Sequence, residues 1–423
     1  MQIGTDDIEN NSTRDGIKIV IHLDSDPRLK SPFNAPVWAS AFRPFYLLGA
    51  WYAPLLIAVW LGAWSGLWIL PPQGLSVQLV HGHEFIFGFS AAIITGIVLT
   101  ALPSWAGIKE IQGARLALLV ALWLAGRIAF WASPWLPPLF SAIVDGLLLP
   151  VIACMLLPQL LRASNRLYLW LLPILLTLCA ANLAFYHGMA TGNPAQASAA
   201  LRLAIYTLIV LYVVKGGVLV PIFTGNALRQ KGRGQQATFV MLLDWTAVGA
   251  VALLAAFDLL GAPPGLTGAC ALACALLHGW RCARWRGWRV ADVPLVLVMH
   301  LGFTWLLLAF LLKGLTDLTG LVPAAAWLHA FTLGSLGMMM LGLMTRVSLH
   351  HTGRPLTVPP TMLLAYVLMF VAALLRVAVA IGALGHWAVT LSALLWMLPF
   401  VLFLLTFSAA LLGPSLPRAP APA

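Results

Sequence analysis

Two histidines and a glutamate, His81, His83 and Glu84, open the apolar stretch HGHEFIFGFSAAIITGIVLTALPSWAG, from His81 to Gly107. The stretch is long enough to cross a bilayer as one helix. Ionisable groups inside a membrane are costly enough to need a partner or a task. A helix turns each residue by about 100°, which sets His81 and His83 on nearly opposite sides. They do not converge on one metal. The spacing suits two separate metals, or a haem on one side and a metal on the other. Glu84, three residues after His81, falls on roughly that histidine's face.

The elements that position these residues follow from composition. The chain has 423 residues, of which 61% are hydrophobic and 9% charged, with a mean hydropathy of +0.92. Soluble domains carry roughly a quarter charged residues, so the fold class is an all-α polytopic membrane protein. Apolar spans fall at about 43–70, 77–103, 114–133, 138–161, 167–188, 199–223, 238–260, 264–281, 292–312, 321–346, 360–384 and 387–412, twelve in all. The net charge of +11 does not signal nucleic acid, because the positive residues sit in short loops between apolar runs. Arg14 to Arg43, Lys109 and Arg115, Arg162 and Arg166, Arg229 to Arg233, Arg281 to Arg289, Arg346 and Arg354, and Arg418 all fall on one side, which the positive-inside rule makes cytoplasmic. Both termini are then cytoplasmic: a tail over 1–41, one transmembrane domain over 42–412, and a second tail over 413–423. No cleaved signal peptide is visible.

On this topology His81, His83, His187 and His329 lie in the outer half of the membrane, together with Glu84, Arg127, Asp145 and Arg376. His300 falls near mid-membrane and His351 near the cytoplasmic surface. His22, His278, His350 and His386 read as solvated. One buried histidine is usually only a hydrogen-bonded core residue; several from different spans at one depth are not explained that way. Neutral imidazole binds haem iron, copper and zinc, and outer-half arginines suit haem propionates. The structural alternative for Arg127 and Asp145 is a buried ion pair. The five cysteines form no CxxC or CxxCH motif and read as small core residues. Met338, Met339 and Met340 read as packing, and the tryptophans largely as interfacial.

A repeat is also visible. With His83 set over His329, Phe85 falls on Phe331, Gly88 on Gly334, Gly96 on Gly342 and Gly107 on Gly353. A fainter third copy lies in the sixth span, at Lys215-Gly216-Gly217 and PIFTGN, which suggests three groups of four helices. Arg127 and Arg376 occupy similar depths in spans three and eleven.

The motifs FRPFYLL (Phe42–Leu48), HGHEFIFGF with LTALPSWAG, LWLAGR (Leu122–Arg127), ANLAFYHGMATG (Ala181–Gly192), PIFTGN (Pro221–Asn226), HLGFTW (His300–Trp305) and HAFTLGSLGMMMLGLMTRVSLHHTGRPL (His329–Leu356) together resemble the NnrS family. That family comprises bacterial membrane proteins linked to nitric oxide tolerance. The resemblance implies haem b and copper, held by His81, His83, His187, His300, His329 and His351, with Arg127 and Arg376 in the cofactor site. It also implies the bacterial cytoplasmic (inner) membrane. Where the family's GGR is expected before PIFTGN, this chain reads Lys215-Gly216-Gly217-Val218, which leaves Lys215 as the one candidate substitute. Twelve spans, a threefold pattern and histidines two apart are similar, by analogy only, to the catalytic subunit of haem–copper oxidases.

The function expected from this is protection against nitric oxide, as ligand or substrate. The reaction expected is reduction of two NO to nitrous oxide and water at a haem–metal site in the outer half of the membrane, with Glu84 as the catalytic group. The chain has no electron-transfer domain, so a quinol or a separate donor must act as its partner, alongside the lipid bilayer. The alternative is a transporter of a metal, a haem or a small solute, against which the eight-span offset of the repeat argues, since it does not halve the chain.

Overall fold

In a lipid interior every backbone N–H and C=O must be satisfied within the chain, so apolar runs of this length become helices. A computed structural model describes residues 32–70, 76–163 and 166–417. Among these it has twelve helices of membrane-crossing length and composition and no strand. They are α1 Phe42–Trp64, α2 Val77–Ala106, α3 Gly113–Trp131, α4 Pro138–Arg162, α5 Tyr168–Ala190, α6 Pro194–Gln230, α7 Met241–Leu259, α8 Pro264–Arg284, α9 Pro294–Thr319, α10 Ala324–His351, α11 Pro360–Ala380 and α12 Trp387–Leu412. The expected spans match these closely. His22, Arg14, Lys18, Arg28, Lys30, Arg418 and most of both tails lie outside the described residues.

The largest difference from the hydropathy reading is α6. PIFTGN lies inside this 37-residue helix, which at 1.5 Å per residue is about 55 Å long, well beyond a hydrocarbon core of about 30 Å. Five helices begin with proline in the first turn, at Pro138, Pro194, Pro264, Pro294 and Pro360, where its missing N–H costs nothing.

Burial orders the bundle. The three most enclosed helices are α2, α6 and α10, whose apolar windows are 78%, 72% and 83% buried, and no other exceeds 61%. They are four spans apart, as the threefold reading expects. They meet one another, with α1, α3, α4 and α5 around one flank of α2 and α9, α11 and α12 around α10.

The repeat between α2 and α10 extends to the backbone. Glu84–Ser90 in α2 and Ala330–Leu336 in α10 are both π-helical, and each segment maps onto the other under the His83–His329 alignment. Such wide turns are rare and concentrate at functional sites. Both contain a glycine against which a neighbouring aromatic ring packs. A Cβ on Gly88 would lie 2.6 Å from Tyr52 of α1, and one on Gly334 would lie 2.4 Å from the Trp305 indole of α9. Both helices then stop at an aligned left-handed glycine, Gly107 at φ 68° and Gly353 at φ 75°.

The two glycine stops differ in what they touch. Nothing lies near a Cβ on Gly107, whereas one on Gly353 would meet the Leu416 carbonyl oxygen at 2.3 Å. Here the segment that follows α12 is strapped down. Leu416 N–H donates to the Thr352 carbonyl at 2.9 Å, and Ser415 Oγ donates to the His351 carbonyl at 3.0 Å. Arg43 donates to the carbonyls of Leu411 at 2.8 Å and Gly413 at 2.6 Å, closing the C-terminus of α12. Gly107→Ala is therefore expected to cost about 1 kcal/mol, the left-handed strain alone. Gly353→Ala costs more, because it also displaces this strap. Thermal unfolding in detergent, followed by helical circular dichroism, should place the Gly353 variant clearly below the Gly107 variant.

Candidate functional site

The histidine pair at the start of α2 serves two separate environments, as its spacing requires. His83 is fully buried inside a polar cluster drawn from α1, α2, α3, α4 and α5. Its Nδ1 lies 2.9 Å from Glu84 Oε1, and its Nε2 lies 2.9 Å from Asn182 Oδ1 and 3.2 Å from Asp145 Oδ2. Arg127 bridges the two acids, with Nη1 on Glu84 and Nη2 on Asp145. Tyr52 donates to Glu84 and receives the Trp131 indole N–H at 2.9 Å. Asn182 Nδ2 and the Tyr186 hydroxyl donate to Asp145 at 3.0 and 3.2 Å. The His83 ring stacks on Phe130 at 4.3 Å and packs on Phe185 at 4.5 Å.

Both His83 nitrogens thus lie against oxygen atoms of this cluster, and His83 does not line the cavity that His81 faces. Glu84 turns to His83 and Arg127, not to His81. The wide turn that begins at Glu84 departs from the 3.6-residue period on which the sequence placement relied. Gly88 sits in the same turn. Its carbonyl accepts the Trp123 indole N–H at 2.9 Å, and its missing side chain leaves room for Tyr52, Glu84 and Arg127.

On the other side of α2, His81 faces a cavity that it shares with His329 of α10, Arg376 of α11 and Trp396 of α12. His329 Nδ1 lies 2.7 Å from the Ala325 carbonyl. Only a donating N–H makes that bond, so the lone pair of His329 is on Nε2, the arrangement usual for a metal-ligating imidazole. His81 Nδ1 is buried with no hydrogen-bond partner. Its ring lies 4.9 Å from that of Trp60. Arg376 is near enough to act electrostatically on both imidazoles. Among the described residues no carboxylate pairs with it.

The repeat explains that unpaired cation. Arg127 and Arg376 lie on equivalent helices, α3 and α11. The position aligned with Glu84 in α10 is Ala330. The first copy carries the counterion of its arginine; the second copy lacks one and faces a cavity instead.

The other expected ligands do not join this site. His187 is exposed at the end of α5, with Nδ1 3.1 Å from Gln196 Oε1. His300 is not central in its helix. It lies six residues into α9, at the end carrying the basic loops, with Nε2 2.9 Å from Thr224 Oγ1 and its ring where a Cβ on Gly287 would fall. His351, at the same end, packs against Phe42 with ring centroids 5.6 Å apart. His278, read from sequence as solvated, is fully buried and bonded to the Ala247 carbonyl at 3.1 Å. Among the described residues, no cluster of three or more histidine, cysteine or acidic side chains could hold a metal ion. Sequence reasoning missed the roles of Tyr52, Asn182 and Tyr186, whose positions follow only from helix packing. The spacing of Asn182 and Tyr186 by one helical turn was the available signal.

Residues 36–415 match the family model described as NnrS protein, so the chain belongs to the NnrS family. No curated protein matches it. Membership identifies a membrane protein of the nitric oxide response.

The two arginines should respond differently to removal. Arg127→Met strands two buried carboxylates and is expected to cost about 3–5 kcal/mol, seen as loss of monodisperse protein on size-exclusion chromatography. Arg376→Met removes a cation that has no carboxylate partner and should leave the folded yield of the cofactor-free protein unchanged.

Proposed function

With NnrS membership as the premise, we propose that the chain protects against nitric oxide through a haem held in the cavity between His81 and His329. The observation that carries this reading is the pairing of two imidazoles, from the two most buried helices, beside an arginine without a counterion. Neutral imidazoles would serve as ligands to a haem iron, and a guanidinium suits haem propionates. The unpartnered Nδ1 of His81 and the tautomer of His329 fit that donor set. The aromatic and aliphatic walls supplied by Trp60, Phe85, Leu333 and Trp396 fit its apolar faces. Bound there, such a group would supply one-electron chemistry and, where one of the two imidazoles leaves the iron free, a place for NO.

The chain's own residues do the rest. The Ala325 carbonyl fixes the ring of His329, and Arg376 would anchor anionic substituents of such a group. The Glu84–Arg127–Asp145 cluster locks the start of α2 and thereby the direction of His81, so Glu84 acts as a positioning residue. For copper the donors do not assemble, since His187, His300 and His351 lie apart, and no step is assigned to it. The net reaction we favour joins two NO with two electrons and two protons to give nitrous oxide and water, the electrons coming from a membrane quinol.

The test is an optical spectrum of the purified protein, oxidised and reduced, before and after NO. A b-type haem spectrum is expected. His81→Ala and His329→Ala should each lose it, while His187→Ala and His351→Ala keep it. Growth under NO should fall in parallel with the spectrum. Purified protein without haem, carrying a transported solute in proteoliposome uptake, would favour the transporter reading.

A further inference from the structure

A second cavity, of about 70 Å³, lies between the three inner helices, away from the histidine site. Its walls include Ile94 and Val98 of α2, Leu208 and Leu211 of α6, and Met339 and Met340 of α10. Tyr212 and Lys215 of α6 also border it, but their polar ends are turned elsewhere. The Tyr212 hydroxyl lies against the backbone of α9, 2.8 Å from where a Cβ on Gly302 would stand. The Lys215 ammonium sits over the face of Tyr168, at 3.9 Å, and Tyr168 is not part of the cavity wall. What these two side chains present to the space is ring and methylene. The walls are hydrocarbon and thioether almost throughout.

Size and lining together select the occupant. A water needs about 15 Å³ of such space and two to four polar partners. The room is present and the partners are not, so the cavity favours an apolar guest. The volume also sets an upper limit, since a ring such as benzene occupies a cavity of about 150 Å³. Molecules of two or three atoms remain. An uncharged diatomic gas meets both conditions, because it brings no strong hydrogen-bonding group into an apolar space. Polarizable thioethers suit such a guest.

The place of the cavity matters as much as its walls. Leu336, which borders it, is the last residue of the wide turn Ala330–Leu336 in α10. Leu333, in the same turn, borders the histidine cavity. The two spaces thus lie on one short segment of one helix. The reaction favoured above joins two NO molecules, so a molecule held here raises the chance that both are present together.

We propose that the cavity between α2, α6 and α10 binds an apolar diatomic gas and holds nitric oxide in reserve for the histidine site. That it takes a gas follows from its size and lining; that the gas is NO rests on the function proposed above.

The experiment is diffraction from crystals of the purified full-length protein pressurised with xenon, an apolar probe of comparable size. An anomalous peak is expected between Leu211 and Met339. Leu211→Phe and Val98→Leu fill the space from two different helices, and each should remove the peak. Monodisperse elution of both variants shows that they fold. In protein carrying haem and NO, flash photolysis should show that the fraction of NO returning from within the protein falls in both variants. No peak in the parent, or an equal peak in parent and variants, would overturn the proposal. So would ordered water or an alkyl chain in the cavity that xenon does not displace. Photolysis traces that the variants leave unchanged would overturn the role in holding NO. A xenon peak in protein without haem would leave the gas site standing and sink the reading of the histidine site. Haem without a xenon peak would do the reverse.

Discussion

The bridge from Arg127 to Glu84 and Asp145 is the interaction on which the rest of this half of the molecule depends. It joins α2, α3 and α4 inside the apolar bundle, and His83, Asn182, Tyr52 and Tyr186 complete it from α1, α2 and α5. Desolvating so many charges is expensive, and the arrangement is tolerable because nearly every lone pair and proton has a partner. Arg127 spans the two carboxylates, and both ring nitrogens of His83 lie against oxygen atoms of the cluster. A cluster so fully satisfied has little freedom to bind anything else. Its contribution to function is geometric: it fixes the rotation of α2, and so the side to which His81 points.

The second half uses the same frame to the opposite end. A wide turn, a glycine with an aromatic ring against it and a left-handed stop recur in α10, yet Ala330 replaces the acid. The arginine of the neighbouring helix is left without a counterion beside two histidines. Pairing in one copy gives rigidity, and its omission in the other leaves a cation without a carboxylate partner among the described residues. The proposed haem site thus lies where the symmetry of the repeat is broken.

Much of this was legible in the chain. Apolar run lengths gave the twelve helices, and the alignment of His83 with His329 gave the equivalence of α2 and α10. The divergence of His81 and His83 followed from helical period alone. What the sequence concealed lay in two places. The period itself changes at Glu84, where the turn widens, so Glu84 could not be placed by counting. The place of His300 along its helix and the solvation of His278 were misjudged, because hydropathy fixes a span better than a position or a covering neighbour within it. α9 begins closer to His300 than its apolar run suggested, and His278 is covered by α7 and α9. Partners such as Asn182, almost a hundred positions from His83, have no local signature.

The spacing of the inner helices carries an implication about history. Helices two, six and ten are the enclosed ones, and two of them agree in turn type, glycine placement and termination. Fusion of copies of a four-helix unit would leave such agreement between inner helices. Once joined, the copies no longer had to remain alike. One was free to harden into scaffold, one to keep an opening for a ligand, and α6, the most divergent, to lengthen and take its aromatic-flanked lysine. Specialisation of this kind is unavailable to identical subunits, where each substitution is repeated at every position around the ring.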